Sequence, residues 1–399
     1  MAGDITLKNL QIFDGFSENL IDGDIRIVDG VIKEIGKNLK DSGNTVDLRG
    51  KFATPGLIDN HFHAYGIGLN MFRMETTPRT YTALKGSVRL SRALRRGFTS
   101  VRDVAGGDIG LASAISEGLI ESPNYFYTGP ALSQTGGHGD ARPSDMEFDL
   151  CCSQPTCSEV VDGVENLRIA VRDRFRLGAH AIKIMASGGV VSLTDPIRIP
   201  QYSAEEILAV TEEAARRGSY VIAHAYSPEA IRHAVENGVR SIEHGNLLDE
   251  ETAQYMAKMD AVLVPTLVTY FAMSKEGKSL GMSEGSLAKN HEVLEKGKRA
   301  VELATKAGVL IGFGTDLMGD LESYQLEGLR HQAEVQSSIE LLRSITSNNA
   351  AILGKSNLGN LKPGASGDVV VFSKNPIEHP SILWEDSSRI IVKAGCVVD

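Results

Sequence analysis

The feature that most constrains this chain is an alternation. Short apolar runs recur between helical stretches across its middle, as "TPGLIDNHFH", "TSVRDVAG", "YFYTGP", "HAIKIMASGG", "YVIAHAY", "RSIEHG", "AVLVPTL" and "VLIGFGTD". Each is the length of a strand buried on both faces, and helical segments separate most of them. In "SAEEILAVTEEAARRG", Ser203 and Glu206 predict a capping box and Gly218 a stop. "SPEAIRHAVENG" repeats the scheme, with Pro228 in the first turn and Gly238 at the end. Eight strand–helix units predict an α/β chain closed as a (β/α)8 barrel.

The two ends read differently. "DIRIVDGVIKEIG" is two alternating runs joined by Asp29-Gly30, a hairpin signal, and "RIIVKAGCVVD" turns at Ala394-Gly395. Neither end is large enough for a core of its own. The reading is therefore one small β-sandwich built from residues 1–54 and 362–399, flanking a barrel at 55–361. The longest irregular stretch, Ser133 to Val160, falls between strands three and four, where a long loop is usually functional.

A net charge of −10 argues against a nucleic-acid partner. No apolar stretch approaches the ~18 residues of a spanning helix, and "MAGDITLKNL" predicts no secretory signal, so no membrane partner and a cytoplasmic location are expected. Of the four cysteines, Cys151, Cys152 and Cys157 cluster without a histidine, which reads as free thiols rather than a zinc knuckle.

Barrel enzymes carry their chemistry at the C-terminal ends of the strands. There this chain places His61 and His63, then Lys183, His224, His244 and Asp316. Alternation puts His61 and His63 on one side and Phe62 on the other. Any one of these has an ordinary explanation: a satisfied core histidine, as His180 is read to be, or a helix cap at Asp316. Their coincidence on separate strands points to a site for a borderline cation such as zinc. Lys183, between Ile182 and Ile184, either snorkels, makes a salt bridge for which Asp316 is the candidate partner, or is chemically altered. Burial lowers the pKa of an amine, and a neutral amine beside two cations can take up carbon dioxide as a carbamate, whose two oxygens suit two metals. Arg102 and Asp103 end the second strand and read as an ion pair bracing the barrel, against a contact to a substrate carboxylate.

With these residues the chain resembles the amidohydrolase superfamily in its two-metal form with a carboxylated lysine. "PGLIDNHFH", "SIEHGNLL" and "GFGTD" carry the general likeness. "TGGHGD", "IKIMASGGVVSLTDP", "QYSAEEI" and "HAYSPEAI" resemble the Xaa-Pro dipeptidase (prolidase-like) subgroup, related to N-acyl amino acid and ochratoxin hydrolases. The resemblance implies two divalent cations, most simply zinc, held by His61, His63, carboxylated Lys183 and Asp316 on one side and Lys183, His224 and His244 on the other. It implies a bridging hydroxide as nucleophile, Asp316 as proton shuttle, and His138 and Tyr226 at the substrate carbonyl. It also implies a small-molecule substrate, a dipeptide or N-acyl amino acid, and a homo-oligomer as large as an octamer. Arg198, after strand four, is the candidate for the substrate carboxylate. A lactonase or phosphotriesterase on the same metal pair, and a metal-free scaffold on the same barrel, remain alternatives at this stage.

Overall fold

A computed structural model describes residues 2–41, 44–143, 155–192 and 195–398. The expected barrel is present. Its strands are β1 (Leu57–Phe62), β2 (Phe98–Asp103), β3 (Asn124–Tyr127), β4 (Ile182–Met185), β5 (Val221–Ala225), β6 (Ser241–His244) and β7 (Val262–Val264), with an eighth, β8, at residues 310–316. Neighbouring strands pair in parallel.

Two departures from a regular ladder matter for the site. The third barrel position is broken: Asn124–Tyr127 bonds to β2, while Ala131–Ser133 bonds to β4. The break turns the chain towards the mouth, where the following loop carries His138. The eighth strand has a single ladder bridge, Leu263 to Ile311. Polar side chains close the barrel there. Asn60 and Asp316 donate backbone N–H groups to Phe313 and His61. Asn349 donates to the carbonyls of Ile58 and Phe313 at 2.7 and 2.8 Å. The buried Asp59 carboxylate accepts from Thr315 Oγ1 (2.6 Å), Gln325 Nε2 (3.0 Å) and two backbone amides. Backbone groups that the irregular strand leaves unpaired are thus satisfied by side chains.

Both chain ends join one sheet of eight strands, as expected. Phe52–Pro55 lies between Ile5–Ile12 and Val369–Phe372, which ties the two termini together. Asp29-Gly30 and Ala394-Gly395 turn their hairpins with positive φ at all four residues. Ile5, Leu7, Ile25, Ile27, Val369 and Val392 fill this sheet's core. Phe13, Val370 and Phe372 pack with Leu57, Phe98 and Phe313 of the barrel. The Ser203–Glu206 capping box forms and Pro228 opens its helix as read from the sequence, with Ser227 as that helix's cap.

Candidate metal centre

His61 ends β1, and His63 follows it on the same side, while Phe62 packs outward under Arg89. His224 and His244 lie at the ends of β5 and β6. Asp316 ends β8, and Lys183 lies within β4. The barrel draws them to one mouth. His63 Nε2 is 2.9 Å and His61 Nε2 3.4 Å from Asp316 Oδ1, and His244 Nδ1 lies 3.9 Å from Oδ2. One ligand atom each from His61, His244 and Asp316 falls within 4.8 Å of the others. The rings of His244 and His224 are 4.6 Å apart. His244 and Asp316 both have left-handed backbones, φ 72° and 53°, a strained geometry that non-glycine residues keep where the surroundings enforce it.

Every histidine has one ring nitrogen anchored. His61 Nδ1 meets Glu243 Oε2 at 2.6 Å, His63 Nδ1 the Ala105 carbonyl at 3.3 Å, His224 Nε2 the Gly188 carbonyl at 3.1 Å, and His244 Nδ1 Thr266 Oγ1 at 2.7 Å. Each is left with one nitrogen to offer, the arrangement that fixes a metal-binding tautomer. Burial and neighbouring cations hold His224 and His244 well below the usual imidazole range, in the neutral form that ligates. Burial works against the Asp316 anion, but His61 beside it outweighs that and holds the carboxyl low. The donor set fits a divalent cation.

Lys183 is 2% exposed. Burial lowers its ammonium to about 8, while Glu243 and Asp316 act on it through charge alone. The alternative of a salt bridge to Asp316 is not realised; among the described residues Lys183 has no ion pair.

His138 and Tyr226 also reach the mouth. The His138 ring stacks on His224 at 4.3 Å, with Nδ1 2.8 Å from Ser192 Oγ. It passes so close over Gly189 that any side chain there would collide with it. Tyr226 stands edge-on to His224 at 4.8 Å. Arg198 is the one site candidate that the fold does not bring here. It is half-exposed, ion-paired with Glu292, and absent from the cavity wall, because the turn after β4 faces outward at that residue.

Arg102 does brace the barrel, but its partner is Glu243 (2.7 Å) rather than Asp103. Asp103 accepts instead from Tyr125 Oη and the Ala64 amide, and burial raises it to about 6. Cys157 is a free thiol, as expected; Cys151 and Cys152 lie outside the described residues. Four residues that serve the site were not singled out from the sequence: Glu243, Thr266, Tyr270, and Glu75, whose carboxylate accepts the amides of Thr156, Cys157 and Ser158 and holds that loop over the mouth. "SIEHG" placed Glu243 beside His244, the only local hint.

These side chains floor the cavity at the barrel mouth. Its upper wall is apolar, with Met71, Met74, Met185, Met273 and Met318 among the lining residues.

The amidohydrolase family model matches residues 52–395. An ochratoxinase of Aspergillus niger is 33% identical over 361 residues, covering 86% of this chain and 74% of that protein. The crystal structure of a prolidase complexed with N-methylphosphonate-L-proline superimposes with a TM-score of 0.96 at 41% identity, covering 99% of both chains. A Xaa-Pro dipeptidase with bound methionine in its active site gives a TM-score of 0.87 at 27% identity, covering 100% of both.

Proposed function

The chain belongs to the amidohydrolase family, as a hydrolase acting on C–N bonds, and from that premise we propose that it is a two-metal dipeptidase or N-acyl amino acid hydrolase of the Xaa-Pro dipeptidase kind. One observation carries the reading. Four imidazoles, each with one nitrogen anchored, converge with Asp316 around a buried lysine that makes no ion pair among the described residues.

His61, His63, Lys183 and Asp316 would hold one divalent cation, and Lys183, His224 and His244 the other, with zinc favoured by the nitrogen-rich set. Lys183 would serve both as a carbamate, its amine, lowered to about 8 by burial, supplying the neutral form that takes up carbon dioxide. Bound there, the cations acidify water and polarise the scissile carbonyl. The rest falls to the chain. Asp316 takes the proton released by the attacking water and passes it to the departing amine. His138 and Tyr226 donate to the oxyanion of the tetrahedral intermediate. The apolar wall receives the acyl or N-terminal side chain, and flexible methionines suit a bulky or variable group.

The test is a screen of metal-loaded protein against Xaa-Pro dipeptides and N-acyl amino acids, with lactones and aryl phosphotriesters alongside, and elemental analysis of the same sample. The reading expects about two divalent ions per chain and turnover of the amides, falling sharply when the substrate carboxylate is blocked as an amide. A preparation that holds at most one ion, or prefers a lactone or phosphotriester, would overturn it.

A further inference from the structure

Behind His244 a file of hydroxyl groups leads to Tyr226, and two of its members, Thr266 and Tyr270, have no part so far in the chemistry. His244 Nδ1 is 2.7 Å from Thr266 Oγ1. Thr266 Oγ1 donates to Tyr270 Oη at 3.3 Å. Tyr270 Oη is 2.9 Å from Tyr226 Oη. The four residues are 4%, 0%, 1% and 2% exposed. Thr266 and Tyr270 are four residues apart at the start of the helix Leu267–Glu276, so one lies above the other on the same face. Asn290 Nδ2 holds the Tyr270 carbonyl at 2.9 Å.

A hydroxyl has one proton to give. Thr266 gives its proton to Tyr270, so it accepts from the Nδ1–H of His244. Tyr270 accepts from Thr266, which leaves its own proton for Tyr226 Oη. Tyr226 accepts there, and its own proton is left over. Both tyrosines line the cavity, so the O–H left over on Tyr226 is available to a group bound there. Burial raises both phenols, so both remain protonated.

We propose that Tyr270, backed by Thr266, is a positioning residue that fixes the direction of this file and makes Tyr226 a donor to the oxyanion. The inference rests on the role given to Tyr226 above. Without the Tyr270 hydroxyl, the Tyr226 O–H loses the donor that holds it in register and is free to rotate away from the cavity. The preorganisation that makes such a donor effective would then be lost.

Tyr270→Phe removes only the hydroxyl. On the dipeptide Met-Pro, kcat should fall about tenfold with KM changed less than about twofold, since the interaction strengthens only in the transition state. Affinity for an N-methylphosphonyl-L-proline probe, whose tetrahedral phosphorus mimics the intermediate, should weaken by the same factor, an arm that needs no turnover. Metal content and thermal midpoint should match the parent. Thr266→Val should act in the same direction and Thr266→Ser should recover the loss, which keeps the test alive if Tyr270→Phe fails to fold. The decisive measurement is Tyr226→Phe combined with Tyr270→Phe. It should be no slower than Tyr226→Phe alone, because residues that act through one proton do not add. Multiplied losses would overturn the relay while leaving Tyr226 in its role, and so would a Tyr270→Phe effect confined to KM. Parental kcat in Tyr226→Phe would instead overturn the assignment of Tyr226, and the relay with it.

Discussion

Two basic residues are buried inside this barrel, on strands that approach its axis from different sides. Arg102 is 0% exposed, and its guanidinium donates to the Asn60 carbonyl, Glu243, Ser241 and Tyr220. Burial penalises its charge, but Glu243 outweighs that and raises it. Lys183 is equally enclosed and is lowered to about 8. Burial is the same; the inventory of partners differs. A cation with every donor spent is part of the scaffold. One with its donors unspent is a liability for folding, and it persists where something else is meant to bind it. Glu243 links the two. One oxygen serves Arg102 and the other orients His61, so the brace of the lower barrel also sets the tautomer of a ligand at the mouth.

This contrast breaks most visibly in turnover. Asp316→Asn should keep the fold and lose roughly 10³–10⁴ in kcat, as for a proton shuttle that also holds metal; near-parental kcat would move that role elsewhere, with His138 next. Lys183→Ala should cost roughly 10²–10³ in kcat/KM and lower the occupancy of both metals. Formate, acetate or propionate should restore part of that activity by supplying a bridging carboxylate. Normal hydrolysis by Lys183→Ala without added acid would reduce Lys183 to a structural residue.

Stability should sort the pair the other way. In metal-free protein, Arg102→Met strands the Glu243 anion and should cost about 3–5 kcal/mol in a urea titration. Lys183→Met keeps the stem, removes an unpaired ammonium, and should change stability by less than about 1 kcal/mol. Equal losses would erase the distinction.

The smallest effect concerns a partly buried base, His180, whose Nε2 donates to the Leu353 carbonyl. Burial, with Lys355 and Arg102 nearby, lowers it from 6.5 to about 4. Between those values the unfolded chain binds the proton and the folded one does not, so stability is complete above pH 6.5 and falls as the pH drops towards 4. At ~1.4 kcal/mol per pKa unit, reduced because the ring is partly exposed, the loss should be about 1–2 kcal/mol. In His180→Phe that share of the acid sensitivity should vanish; an unchanged slope from pH 6.5 to 4 would assign it to other groups.

Much of this was legible in the chain. Apolar runs of strand length, capping boxes and glycine stops are local signals, and they placed the barrel strands. The His-x-His at 61 and 63 is legible for the same reason, since alternation decides its facing within three residues. The irregular eighth strand was not visible, because side chains distant in sequence, such as Asn349 and Asp59, complete the backbone there; nor was the break in the third. Arg198 looked well placed only because a sequence does not say which way a loop turns. Thr266 and Tyr270 lie at helical spacing in "PTLVTY" and read as ordinary helix residues until the barrel closes them onto His244 and Tyr226. What the sequence by itself determined is that a lysine would stand among isoleucines at the mouth of a barrel ringed with histidines. Whether that lysine would be paired was decided only by closure, which swung Glu243 to Arg102 and His61 and left Lys183 unmatched, because a partner is chosen by the stagger of strands across the barrel and not by any spacing along the chain.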